Sequence, residues 1–507
     1  MDQPATTAEP LPPAADVPPP AVVPPAPVAR YESPGDALRV VVTVVILVVC
    51  IFLFIRTFAV EPFGVPTGSM APALVGNHRE TLCPRCGYPV VIGEPSNGDR
   101  SPDATCPNCG KHGIDLSPTW EIPGDRLMVD KNVFNVRSPR RWEVAVFRCP
   151  VDLSKPYVKR MIGLPGEAVQ LIGGDVFING QLQRKTLAHL REMRVPVFDL
   201  AFAPLATWQP RWHVEPVADD PNFPAAANDT PSKPVDETIL RTDGLVLDAS
   251  GKRPSLGLTY RHWNLDDKQE GPITDWLAYN ASQRRRPAPV HDFLFTCDLE
   301  VTAGSGRFAC RLGDGLDSVR AEFPIGAAAG EGVQLAADRG GTPPLQSGFK
   351  LEVGKTYRLE FAFVDRRAML AIDGVEPFGP LDLPAPPDVY PQRGQVTRPL
   401  QLGVRGVAVA VRNVKLWRDI HYRGDGGDEV NGTKTPYQLA ADEFFVLGDN
   451  SANSHDSRAW KIPGVPERDF IGKPFLIHQP LKAGHVTVNG GAKAFQTVDW
   501  DRLRWVR

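Results

Sequence analysis

An excess of charge of one sign is missing from this sequence: its 507 residues carry a formal net charge of −3, with acids and bases intermixed. Without a broad positive field there is little to displace counterions from a phosphate backbone, which argues against nucleic acid as a partner. Also missing is a glycine-rich loop that follows a strand and opens a helix, so no nucleotide cofactor is expected. Thr67 and Ala71 stand where a Gly-x-Ser-x-Gly elbow around Ser69 would need glycines, and a histidine triad is therefore unsupported. The first thirty residues hold ten prolines and almost no large side chains. Such a segment buries too little apolar surface to offset chain entropy, and residues 1–36 read as a disordered tail.

One long apolar run is present. Val40 to Ile55 is an uncharged stretch of 16 residues between Arg39 and Arg56. Both arginines snorkel, extending the run to roughly the 20 residues a bilayer needs, so residues 37–59 are expected to form a transmembrane helix. A buried core helix is the plainer alternative. Arg30 and Arg39 precede the run and Arg56 and Arg79 follow it, so loop charge leaves the orientation open.

Cysteine is scarce, eight in all, but four are placed in a pattern. "TLCPRCGYPV" and "ATCPNCGKHG" set Cys83, Cys86, Cys106 and Cys109 in two CxxC knuckles separated by 19 residues. Thiolate pairs at that spacing share one tetrahedral zinc, and four protein ligands leave no open position for catalysis. Residues 81–118 thus read as a zinc-ribbon-like insert, with disulfides in an oxidising compartment as the rival. Cys297 and Cys310 are expected to pair across neighbouring strands. Cys50 and Cys149 read as small apolar fillers.

The fold class is mainly β. "RLMVDKNVF", "WEVAVFRCP", "YVKRMIGLPGE" and "AVQLIGGDVFINGQ" alternate like strands, and the last ends in an Asn-Gly hairpin signal. Residues 191–436 change character, with a strand-rich core at about 237–422. "TYRLEFAFVDRRAMLAIDG" places Tyr357, Leu359, Phe361 and Phe363 on one face and Ala368, Leu370 and Ile372 after a turn. Such short-spaced strands predict a β-sandwich, similar in pattern to the jelly rolls of the concanavalin and laminin-G kind. It is expected to be a passive or protein-binding insert, with a glycan as the other candidate ligand.

Three segments carry candidate chemistry. Ser69 needs a base to remove its proton. Lys159, on an apolar strand with Tyr157 and Met161 on the same side, would lose hydration and with it part of its basicity. "FFVLGDNSANSHDSRAW" follows an apolar strand with turns that fold on their own side-chain hydrogen bonds.

Together "EPFGVPTGSMAPAL", "GDRLMVDK", "YVKRMIGLPGE" and "GDNSANSHDSR", in that order behind an apolar helix, resemble the type I signal peptidases. "DVFINGQ" and the "IGK" near residue 471 add to the likeness. It spans residues 37–80, 119–190 and 437–480, leaving the knuckle and the sandwich as insertions between catalytic parts 60–80, 119–190 and 437–507. The resemblance implies a membrane-bound serine endopeptidase that removes signal peptides from exported preproteins after small residues at −1 and −3, without a catalytic cofactor. It implies Ser69 as nucleophile and Lys159 as general base. Ser454 would orient the lysine, Asp456 and Arg458 would brace the loop, and Thr67 with the Ser69 N–H would form the oxyanion hole. Ser451 and Ala452 replace a common Arg-Asp, so one bracing ion pair is expected to be lost. Met70 and "FGV" are expected to help form the apolar substrate-binding surface near the lipid. The implied location is the cytoplasmic membrane, crossed once, with the N-terminus cytoplasmic and the catalytic body outside. The alternative is a membrane-tethered carbohydrate- or protein-binding protein on an inactive scaffold.

Overall fold

The computed structural model describes residues 34–95, 98, 100–202, 211–215, 233–236, 238–241, 244–281, 285–326, 332–339, 341–424, 430–488 and 491–506. The expected tail lies outside them except for its last three residues, which open a helix. Two compact units divide the chain, Met1–Thr57 and Phe58–Arg507.

Pro34–Phe58 is a 25-residue α-helix, about 37 Å long at 1.5 Å per residue. Proline at its first position costs no hydrogen bond there, and nothing after Gly35 breaks the run. Its large apolar side chains from Val40 to Leu53 are exposed, as is Cys50, which fills no core. A helix is present where the sequence predicts one. Among the described residues, none is long and apolar enough to cross a membrane; the side chains of residues 54–58 lie outside that description.

In the second unit an antiparallel sheet runs in the order Val60–Gly64, Arg126–Asp130, Phe470–Ile477, Val144–Cys149, Asp152–Gly163, Glu443–Leu447, Val465–Pro466. Neighbours in this sheet come from opposite ends of the sequence. Ala145 pairs with Lys159 and Phe147 with Tyr157, while Val446 pairs with Met161 on the other edge. Two apolar clusters flank the sheet. One gathers Ala145, Phe147, Cys149, Met161, Val446 and Trp460, so Cys149 does fill core. The other holds Val65, Met70, Leu74, Leu127 and Val146. Met70 is 1% exposed. Its long flexible thioether packs inward and anchors the turn that carries Ser69 to the sheet. The "FINGQ" hairpin forms as predicted, with Ile178 paired to Gln181 and positive φ at Asn179 and Gly180.

Between the catalytic strands sits a 14-stranded antiparallel sheet. Its two long strands, Phe293–Gly313 and Leu400–Arg418, pair along most of their length with register shifts at Val301/Ala303 and Gly304/Arg307. Tyr357, Leu359, Phe361, Phe363, Ala368, Leu370 and Ile372 join one core cluster, so the period-2 pattern does mark the inward face. Cys297 and Cys310 belong to a single bent strand and both thiols are free, which corrects the expected disulfide.

Buried charge ties this sheet to the smaller hairpin sheet. Lys185 Nζ lies 2.9 Å from Asp365 and 2.8 Å from Asp419, and 4.6 Å above the Trp142 ring. Arg393 reaches Asp175 at 3.4 Å. Buried charges survive only when paired, so these contacts fix the two sheets against each other.

Candidate active site

Ser69 occupies the middle of a one-turn 3-10 helix, Gly68–Met70. Lys159 projects from the Asp152–Gly163 strand, and its Nζ lies 2.6 Å from Ser69 Oγ. The lysine is 4% exposed and its amine stands 5.6 Å from the Tyr157 ring centroid. Burial lowers its pKa to about 8, opposed by the Asp456 charge and assisted by Arg458. An amine so poised is neutral in a useful fraction near pH 8 and accepts a proton from a hydroxyl at contact distance.

The structure brings the other expected residues to the same place. Ser454 is buried, and among the described residues no hydrogen bond joins its Oγ to Lys159; its hydroxyl instead helps to hold the Asp456 carboxyl low. It stands close by all the same. A Cβ on Gly448 would fall 2.3 Å from Ser454 Oγ and 2.4 Å from Ser69 O, so only glycine passes between them. Asp456 is fully buried and receives Arg458 Nε and Nη2, each at 2.8 Å, and the Gly448 N–H at 3.1 Å. Burial raises the Asp456 carboxyl, but Arg458 outweighs it and holds the group below the ordinary aspartate value. Thr67 is exposed at the entry of the turn, and its side chain caps no N–H there.

Further residues complete the site, most of them inside the segments "YVKRMIGLPGE" and "GDNSANSHDSR". Arg160, the neighbour of Lys159, makes a bidentate pair with Asp449 at 2.7 and 2.5 Å and donates to Trp142 O at 2.7 Å. Ser451 accepts from Arg458 Nη1 and from the Arg423 N–H, both at 2.8 Å. The loop thus keeps two buried ion pairs despite the Ser451-Ala452 replacement. Asn450 donates its N–H to Ser69 O at 3.0 Å. From the large inserted segment, the turn Ala278–Asn280 reaches the turn that carries Ser69: a Cβ on Gly68 would fall 2.0 Å from Tyr279 Cε1. Its only sequence signal would have been the aromatic–amide pair in "LAYNAS", which has no periodicity to draw notice.

The four knuckle cysteines converge as well. Their sulfurs lie within 4.8 Å of one another, with Cys83–Cys109 and Cys86–Cys106 each 3.6 Å apart. That separation excludes an S–S bond of about 2.05 Å and suits four thiolates around one ion at about 2.3 Å. The Gly87 and Gly110 N–H groups close each knuckle onto the carbonyls of Cys83 and Cys106.

The family model described as "Signal peptidase, peptidase S26" matches residues 110–230 and 408–478. The chain is 33% identical over 141 residues to a signal peptidase I of Rickettsia massiliae, covering 28% of this chain and 43% of that one. It is likewise 33% identical over 136 residues to a signal peptidase I of Pseudomonas fluorescens, covering 26% and 35%. The chain therefore spans about two-fifths of the length of the curated relatives it matches. Among solved structures, a carbohydrate binding module of Bacillus subtilis aligns over 35% of this chain and 83% of its own at 14% identity, with a TM-score of 0.20 that carries no argument. Through its matched segments on either side of the inserted sheet, the chain is similar to the signal peptidases of the S26 family.

Proposed function

We propose that this protein is a membrane-anchored serine endopeptidase that removes signal peptides from exported preproteins, cleaving after small residues at −1 and −3. The observation that carries the reading is the buried Lys159 amine 2.6 Å from Ser69 Oγ. Lys159 takes the hydroxyl proton as Ser69 attacks the scissile carbonyl. The Ser69 N–H and the Thr67 hydroxyl receive the developing oxyanion, and the lysine hands its proton to the leaving amine. Water then clears the acyl-enzyme with the same base. Asp456, Arg458 and the Arg160–Asp449 pair hold the walls of the site, and the buried Ser454 lies beside them without a hydrogen bond to the amine.

The apolar helix is the anchor, with arginine stems carrying it to the headgroups on both sides. Its N-terminal side would face the cytoplasm and the catalytic body the export side of the cytoplasmic membrane. Catalysis uses no cofactor; the four-cysteine cluster takes a structural zinc. The inserted sheet is a jelly-roll-like sandwich that serves the peptidase. The binding-protein alternative is not favoured, because a dead scaffold has no reason to keep a desolvated lysine against a serine.

The test is cleavage of a preprotein with an Ala-x-Ala end by the full chain in detergent. Ser69→Ala and Lys159→Ala should each lower turnover at least about a thousandfold. Turnover near wild type in either variant would end the proposal.

A further inference from the structure

The inserted segment does more than touch the nucleophile's turn. Asn280 and Asn450 exchange two side-chain hydrogen bonds, each Nδ2 donating to the other's Oδ1 at 2.8 Å. Asn450 Nδ2 also donates to Gly68 O at 2.9 Å. Asn450 thereby has a single acceptable orientation: flipping its amide would set oxygen against the Gly68 carbonyl and against Asn280 Oδ1. Asn280 is itself 8% exposed and receives a further donor, Asn453 Nδ2, at 3.3 Å. Tyr279 beside it donates its hydroxyl to Asn77 O at 3.1 Å and lays its ring on Gly68.

The Gly68–Ser69 peptide is planar and trans, so its C=O and N–H point in opposite directions. Holding the carbonyl on Asn450 aims the Ser69 N–H away from Asn450. We infer that Asn280 is a positioning residue for the oxyanion hole, acting through Asn450 to fix that peptide, so that the insertion completes the peptidase site. This rests on the signal-peptidase reading. No group of Asn280 touches the reacting atoms. Its part is to hold a donor still before charge develops, where a misaimed donor forfeits its contribution.

The experiment uses the full chain in detergent, a preprotein substrate, and a peptide aldehyde ending in alanine whose adduct with Ser69 places an oxyanion in the hole. Asn280→Ala should lower kcat by about tenfold to a hundredfold, leave KM within about twofold, and weaken the aldehyde in step with kcat/KM. The acid limb of the pH profile should not move, since Lys159 is untouched. Combining Asn280→Ala with Asn450→Ala should cost little beyond Asn450→Ala alone. If Asn280→Ala does not fold, Asn280→Asp, equal in size but unable to donate to Asn450 Oδ1, should lower kcat at least about threefold. A folded Asn280 variant with unchanged kcat, a loss confined to KM, or additive costs in the double variant would overturn the inference and leave the dyad standing. A wild-type chain that fails to cleave preprotein, or a Ser69→Ala variant that succeeds, would instead remove the reading beneath it.

Discussion

Lys159 governs how the protein should respond to pH, because among the described residues its amine is the titrating group hydrogen-bonded to Ser69 Oγ. With burial lowering its pKa to about 8, the neutral form grows as pH rises through that value. kcat/KM should therefore climb about tenfold per pH unit below 8 and level off above it, as steady-state rates on a peptide substrate would reveal. The same shift has a stability side. Between about 8 and the ordinary 10.5 the unfolded chain holds a proton that the folded chain has lost, so stability rises with pH across that window. Below it the burial cost is complete, on the order of 3 kcal/mol for a shift of this size. Lys159→Met, similar in length and without charge, should thus raise the melting temperature at pH 7 while abolishing cleavage. An unchanged or lower melting temperature would mean that the amine is not desolvated.

Strands and turns carry the next layer of consequence. Arg160 follows Lys159 on one strand and pairs with Asp449 across the gap to the loop after Glu443–Leu447. Asp449→Ala would strand a buried guanidinium, a change that costs about 3–5 kcal/mol, and chemical denaturation should show it. These elements were partly readable in advance. Alternation grouped Tyr357–Phe363 and Ala368–Ile372 onto one core face, but it did not show that the opposite face, with Ala362, Val364, Met369 and Ala371, is buried in a second cluster. It failed at Phe293–Gly313, where a bend near Gly304 made one strand look like two and suggested a Cys297–Cys310 bridge. Asn280 left no trace, since a lone amide has no periodic signature; Asp449 and Asn450 stood in the turn "GDNSANSHDSR", but their partners Arg160 and Asn280 depend on pairings between distant parts of the chain.

Considered whole, the protein is held together by contacts that join its insertions to its catalytic strands. The knuckle's four cysteines share an apolar cluster with Ala278, one residue from Tyr279. Metal analysis and a thiol count on the purified chain should find about one zinc and no disulfide among these four. Stripping that zinc with a strong chelator should lower both the melting temperature and kcat, because the Ala278–Asn280 turn loses its footing; unchanged values after verified removal would separate the knuckle from the site. A second joint responds to acid. Burial raises Asp175 and Asp419 to about 6, against Arg393 and Lys185 respectively. A carboxylate so raised holds its proton in the folded state between about 4 and 6, so its burial penalty is complete above 6 and fades as pH falls.

One feature of the sheet reaches into the protein's synthesis. Lys159 lies on a strand whose outer neighbour, Glu443–Leu447, is made nearly three hundred residues later. Until that neighbour leaves the ribosome and docks, nothing on that edge keeps water from the amine, which stays an ammonium and cannot serve as a base. Under the proposed function, a site assembled in this order is born latent, without a base until its last strand has docked.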